Sequence, residues 1–479
     1  MIFYRFRSTK RLLNDNQELL KQSIFFAHPE SLNDPMEGYR NLYWLGDEIA
    51  WKNLFRHYIL CLERTYLLAM LCNESQNLTT KDIPIRISMD DFPTPEAKKY
   101  CLEIIEEFLS NEYITQLIEA ILTRTTPLRK DELEFYLSSA HPLATELILE
   151  KYEEINIIPP RPQKNHSSDA TIKKIIEDNF IELIERSIKE KNNTDITEHL
   201  FTSQKNIKLQ INLIHHYNTQ PYKNSTNRNL LSQDFPEIYS SLLEELIYPE
   251  WYTACFMSSC ENSSVWGHYG DNHKGVCLIF ESEQEKDKEN NFISLTGING
   301  WDSNGPSRGT IRFKFEKINY EEGFGDIDFF RSLGRLTRTT LNSTWHTLNG
   351  KLSICAEHMN KSEEDWRNLY WQQFYRDIKI KSPDWSYENE YRLILCDMMN
   401  SHSAKEDRIL TYNLSSLKGI IFGINTSTED KIEIMRTVDE KFANHKIEDF
   451  KFYQAYYSAQ HKCIKHIELS LIKYSPKTK

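Results

Sequence analysis

Apolar and polar positions change their period along the chain. At the start, Ile2, Tyr4 and Phe6 alternate with Phe3, Arg5 and Arg7. This period of two predicts a strand and puts Arg5 and Arg7 on the face opposite the aliphatic one. A short apolar run, Ser23 to Ala27, predicts a second strand, and the Pro and Asn/Asp content of His28 to Pro35 predicts an ordered loop after it. From about residue 57 to 245 the period becomes helical. Thr94 followed by Pro95 is an N-cap with Pro at the first helical position, after which Cys101, Ile104, Ile105, Phe108 and Leu109 share one face. Ile114, Leu117, Ile118 and Ile121 continue at helical spacing, as do Ile172, Ile175, Ile176, Leu183 and Ile184 beyond the Pro159-Pro160-Arg161-Pro162 loop. The polar stretch Asn218 to Ser232 marks the exit from this block.

Beyond about residue 246 strands return, at Thr253 to Met257, Gly275 to Glu281, Ile311 to Phe315, Tyr391 to Cys396 and Gly419 to Gly423. Asp326 to Met359 and Glu363 to Arg376 read as helical between them. The order strands, helices, strands predicts an α+β protein whose sheet domain is split by a large α-helical insertion. The expected parts are residues 1–56 and 246–479 for the sheet domain, the latter including C-terminal elements, and 57–245 for the insertion.

Composition narrows the class. The 479 residues suggest about two or three domains at roughly 150 residues each. With 39% apolar and 12% aromatic residues, disordered and fibrous classes are excluded. The best membrane-span candidate, Tyr58 to Cys72, is interrupted by Glu63 and Arg64, so no spanning helix is expected. The first residues lack a signal peptide's apolar core, and nine Cys without any Cys-x-x-Cys indicate neither a disulfide framework nor a structural zinc site. Cytoplasmic residence is the expectation. A net charge of −12 disfavours non-specific attraction to a phosphate backbone, although the Lys and Arg of Lys164 to Lys191 and Lys205 to Arg228 leave room for a local basic face.

The sharpest chemical signal is Glu388-x-Glu390. Residues two apart in a strand share a face, so Glu388, Glu390 and Arg392 are expected to project together. Paired carboxylates can divide labour, one stabilising an oxocarbenium-like cation while the other positions or deprotonates a nucleophile. The plainer reading is a surface ion-pair row, with Arg5 and Arg7 as edge-strand charges, Trp266 and Tyr269 as core aromatics and His268 and His273 as structural histidines. The spacing of His268, Asp271 and His273 fits no standard metal motif. No Gly-x-Gly-x-x-Gly, Walker, His-Glu-x-x-His or Gly-x-Ser-x-Gly run occurs.

Four motifs stand in order: Tyr4-Arg5-Phe6, Leu32-Asn33-Asp34-Pro35-Met36-Glu37-Gly38, Trp266-Gly267-His268-Tyr269 and Trp385-Ser386-Tyr387-Glu388-Asn389-Glu390-Tyr391-Arg392. Together they resemble a bacterial domain family of unassigned function, over about residues 1 to 45 and 250 to 425. The helical block is longer than the spacer such a family implies, and Met257 stands where a Ser is usual. The order of Arg, Ser and Glu-x-Glu is in turn similar to that of the Arg-Ser-Glu ADP-ribosyltransferases. That resemblance implies a mixed β-sheet core of their fold and NAD as substrate. It also implies Glu390 as the catalytic carboxylate, Glu388 facing the acceptor, Arg5 on the NAD phosphate or ribose, and Ser258 or Ser259 bracing the nicotinamide pocket. Tyr4, Trp266, His268, Tyr269 and Tyr387 would line that pocket, and no metal is implied.

The function expected on this basis is ADP-ribosyl transfer to a macromolecule, protein or nucleic acid, in a bacterial toxin or antiphage defence effector with an antitoxin or regulatory partner. The rival expectations are a nuclease or nucleoside hydrolase effector and a non-catalytic interaction module.

Overall fold

The computed structural model describes residues 1–72, 76–191, 195–218, 226–284, 290–303, 305–442 and 450–472. The chain divides into two compact units, one of Met1–Tyr39, Pro249–Phe324 and Tyr375–Lys479, the other of Arg40–Tyr248 and Gly325–Phe374. It is a mixed α and β protein with a multi-stranded mixed sheet and many helices.

The first unit is built on strands β1 (Ile2–Arg7), β2 (Ser23–Phe25), β3 (Glu250–Met257), β4 (Val276–Glu281), β5 (Glu283–Gln284), β6 (Asn291–Asp302), β7 (Gly305–Lys314), β8 (Glu316–Lys317), β9 (Glu390–Asp397), β10 (Ile409–Tyr412), β11 (Leu417–Phe422), β12 (Lys451–Ser458) and β13 (Cys463–Glu468). Eight of them form one sheet in the order β8-β9-β3-β1-β4-β11-β12-β13, antiparallel except for the β11–β12 pair. A smaller sheet runs β2-β10-β6-β5, with β7 paired to β6.

Both faces of the large sheet are covered. Phe3, Phe256, Leu278 and Leu393 belong to one core cluster, Phe6, Met257, Cys277 and Trp266 to another. β1 is therefore a central strand between β3 and β4, not an edge. Its register pairs Arg5 with Leu278 and Tyr4 with both Met257 and Ile279, so the side-chain parity of β1 sends Arg5 to the first cluster and Tyr4 to the second.

The second unit is mainly helical. Its helices include Glu48–Leu71, Pro95–Ser110, Glu112–Leu122, Lys130–Glu154 and Asp195–Asn218. The Thr94 hydroxyl accepts from Ala97 N at 3.1 Å, and Pro95 occupies the first turn as its sequence position predicts. Cys101, Ile104, Ile105 and Phe108 are buried, as are Ile114, Leu117, Ile118 and Ile121. Leu183, expected on an apolar face, is half exposed. Residues 219–225 of the expected exit stretch lie outside the described residues.

Asp326 to Met359 is not the helix its composition suggests. It holds a short strand, Asp326–Asp328, brief helical turns, and a hairpin of Thr347–Leu348 with Lys351–Leu352. Asn349 and Gly350 both take positive φ (50° and 74°), the two-residue turn that Asn-Gly favours. No helix among the described residues is long and apolar enough to cross a membrane.

Candidate functional site: a buried carboxylate network on one sheet face

Glu388 and Glu390 converge, but not as neighbours on one strand. Glu388 ends a 3-10 helix, Pro383–Glu388, and Asn389 takes a left-handed conformation (φ 47°) before β9 begins at Glu390. That turn brings both carboxylates to one ammonium. Lys381 Nζ donates to Glu388 Oε2 at 2.7 Å and to Glu390 Oε2 at 2.8 Å.

Arg392, two residues along the same face of β9, completes the network. Its five N–H donors match five bonds. Nε and Nη2 reach Glu390 at 2.8 and 3.3 Å, Nη1 and Nη2 reach Glu37 at 2.5 and 2.8 Å, and Nη1 also reaches the Ile378 carbonyl at 3.1 Å. Glu37 is delivered by the Leu32–Gly38 loop. There Asp34 Oδ1 accepts from Met36 N at 2.9 Å, and Gly38, at φ 74°, brings the chain against Pro29 and Trp251. The Tyr269 hydroxyl donates to Glu388 Oε1 at 2.7 Å, and Glu390 N donates to the Tyr320 hydroxyl at 3.0 Å.

The network is sealed. Arg392 is 0% exposed, Glu390 1%, Glu388 2% and Lys381 5%, so a surface ion-pair row is the wrong description. Burial alone would raise the Glu390 carboxyl, but Arg392 and then Lys381 outweigh it and hold it down at about 2. Glu37 moves the other way: burial raises it, and Arg392, whose charge Glu390 shares, does not fully offset that. Burial and Glu388 keep the Tyr269 hydroxyl protonated. Three carboxylates thus stand against two cations, one formal negative charge in excess, and Glu388 is the carboxylate with one oxygen on a neutral hydroxyl instead of a cation.

The aromatic groups above Glu388 are more open. His268, exposed at the end of the helix Ser263–Tyr269, is 3.1 Å from the Tyr387 hydroxyl through Nδ1. Trp385 lies with its ring centroid 6.1 Å from that of Tyr387, and Lys381 sits 5.1 Å from the Trp385 centroid. Ser258 joins this group through its backbone N and hydroxyl, both donating to the Asn389 carbonyl, at 3.2 and 3.3 Å.

Several expected site residues lie elsewhere. Arg5 projects from the opposite face of the sheet, 2% exposed, donating to the carbonyls of Cys255 and Phe25 and packed over Phe256. It is neither an edge-strand charge nor a partner of Glu390, and burial lowers its pKa. Trp266 is a core side chain, 1% exposed, with its indole N–H on the Cys260 carbonyl at 2.7 Å and its ring edge-on to Phe6. Tyr4 packs half-buried against the same cluster, and the Ser259 hydroxyl accepts from Glu261 N within its own loop. Among the described residues no group of three or more His, Cys, Asp or Glu side chains is placed to hold a metal ion.

The residues that sequence reasoning left without a role are Lys381, Glu37 and Tyr320. Glu37 had a signal, its place in the Leu32–Gly38 motif. Lys381 sits outside every motif, and only the fold brings it to the carboxylates.

Residues 265–393 match a family profile described as a protein of unknown function (DUF2971). The DUF2971 match takes in His268, Tyr269, Lys381, Glu388, Glu390 and Arg392, and leaves out Arg5, Glu37 and Ser258. It agrees with a domain family of unassigned function and carries no activity with it. No curated protein and no solved structure matches the chain.

Proposed function

We propose that the chain is an ADP-ribosyltransferase that breaks the nicotinamide–ribose bond of NAD and passes ADP-ribose to a macromolecule, with Glu388 as the carboxylate nearest the reacting carbon. The observation that supports this reading is that two cations serve three carboxylates, with Glu388 sharing Lys381 with Glu390 and lying beside the flat groups Trp385, Tyr387 and His268. When the bond breaks, its electron pair leaves with neutral nicotinamide and the ribose carbon becomes an oxocarbenium-like cation. A fixed carboxylate with spare charge in a water-poor site lowers the energy of that cation. The acceptor nucleophile then closes the new bond and loses its proton to a carboxylate. Flat aromatic walls complement nicotinamide. In this reading Lys381 and Arg392 hold Glu390 ionised and the three carboxylates aligned, and Tyr387 with His268 must part to admit the ligand. Arg5 has no contact with this chemistry.

A second reading has its own observation: every member of the network is bonded and nearly inaccessible, the pattern of a fold-specifying ion cluster beneath a non-catalytic binding surface. The two are separated by incubating the protein with adenine-labelled NAD and a bacterial lysate. Label transferred to protein or nucleic acid by wild type and lost in Glu388→Gln is the outcome the transferase reading predicts. No label and no nicotinamide release leaves the binding surface as the correct account.

A further inference from the structure

One helix of the second unit turns its apolar side outward. In Asp195–Asn218 the side that packs on the rest of the unit carries Phe201, buried beside Phe135 and Phe180, together with Lys205 and Lys208. Lys205 Nζ is paired with Asp131 and, at 3.0 Å, with Glu134, and Lys208 Nζ with Glu237 at 3.4 Å. The opposite side carries Leu200, Ile207 and Ile214, seven residues apart, with Ser203, Gln210 and Tyr217 three residues after each and Ile211 beside them. Leu200 is 43% exposed, Ile207 58%, Ile211 and Ile214 60% and Tyr217 91%. A helix packed on one chain alone places its apolar side inward.

The stripe has the period of about 3.5 residues shown by helices that pack along one another. Its open side chains offer on the order of 550 Å² per copy, at roughly 180 Å² for a whole side chain. Two copies face to face then hide about 1,100 Å², past the roughly 1,000 Å² that a specific interface clears. Charge narrows the occupant further. Between Leu200 and Tyr217 the only Asp, Glu, Lys or Arg residues are Lys205 and Lys208, both on the packed side. The stripe therefore leaves nothing for a charged partner to neutralise and matches a surface as free of charge as itself. A helix lying on a lipid surface is rich in Lys or Arg on its polar face, whereas both lysines here are held by carboxylates of the same chain.

We propose that this stripe is a dimer interface, covered by the same helix of a second copy running antiparallel across a two-fold axis. With the axis between Lys208 and Leu209, Leu200 meets Tyr217 of the other copy, Ile207 meets Gln210 and Ile214 meets Ser203, so each branched side chain faces a differently shaped one and the contact closes on itself. The interface goes beyond the reaction proposed at the carboxylate network and does not depend on it.

The test is sedimentation of the full chain from about 1 to 100 μM, a span that brackets micromolar association. The expected result is a monomer–dimer equilibrium with a dissociation constant on the order of micromolar or tighter. Ile207→Lys, at an exposed position, is expected to weaken it about a hundredfold without changing the unfolding midpoint of the dilute monomer. Mixing Ile207→Lys with Gln210→Glu is expected to regain about tenfold, because position 207 of one copy faces position 210 of the other. Wild type that stays monomeric at about 100 μM overturns the proposal, as does a dimer that Ile207→Lys leaves intact. Monomeric protein that floats with phosphatidylcholine vesicles overturns it in favour of a lipid surface. A mixture that regains nothing overturns the antiparallel pairing.

Discussion

Arg392 has no spare donor, and each of its partners is buried with it. Removing the guanidinium leaves Glu37 as an unpaired buried carboxylate and Glu390 with Lys381 alone, and breaking a buried pair in this way costs about 3–5 kcal/mol. Arg392→Met is therefore expected to lower the urea unfolding free energy by about that amount, and Arg392→Lys to recover only part of it, because an ammonium cannot serve two carboxylates and a carbonyl in that planar geometry. The pH dependence follows from Glu390. Its folded pKa of about 2 lies below the ordinary value of 4.5, so its ion pairs stabilise the native state above pH 4.5 and that contribution is lost as pH falls towards 2. Glu37 is raised by burial, so the stability it contributes relative to the unfolded chain falls as pH rises through the usual carboxylate range. Acid titrations of stability are expected to show Glu390→Gln losing less between pH 4.5 and 2 than wild type does. A variant that follows the wild-type curve would remove Glu390 from the account.

At the scale of elements, Asn389 decides the geometry. A strand running through Glu388 would place both carboxylates on one face by alternation alone, and the sequence reads that way. The chain instead closes a 3-10 turn at Glu388 and reverses sign at Asn389. A left-handed φ costs most residues about 1–2 kcal/mol and Asn or Gly less. Asn389→Ala is expected to reduce stability by about 1 kcal/mol and to move Glu388 away from Lys381, while Asn389→Gly retains the network. Unfolding curves and nicotinamide release measured on both variants check this. The same contrast explains which elements were legible. Pro95–Ser110 announces itself by cap, first-turn Pro and period, all local signals. Asp326 to Met359 misleads because its apolar residues serve turns and a hairpin, which the Asn349-Gly350 pair closes.

For the molecule as a whole, the alternation of β1 was visible but its faces were not. Parity says only that Tyr4 and Arg5 point apart. Which of them shares a face with Glu390 depends on the register of β1 with β3 and of β3 with β9, contacts spanning hundreds of residues. With Met257 opposite both Tyr4 and Glu390, that residue is Tyr4. The motif order Arg, Ser, Glu was thus legible, while Ser258 bonds only the Asn389 carbonyl between the two Glu residues and Arg5 lies on the other face.

The central claim is that the network works on a ligand as well as holding the fold, and Glu388→Gln tests it most directly. The amide keeps the size of the side chain and an acceptor for Lys381 while removing the excess charge. Nicotinamide release from NAD and the urea unfolding free energy are to be measured on wild type and on this variant in the same buffer. Release by wild type is expected, with its loss by about a hundredfold or more in the variant and a change in unfolding free energy of no more than about 2 kcal/mol. Equal release by both proteins, or none from either, with stability as the quantity that falls, would contradict it.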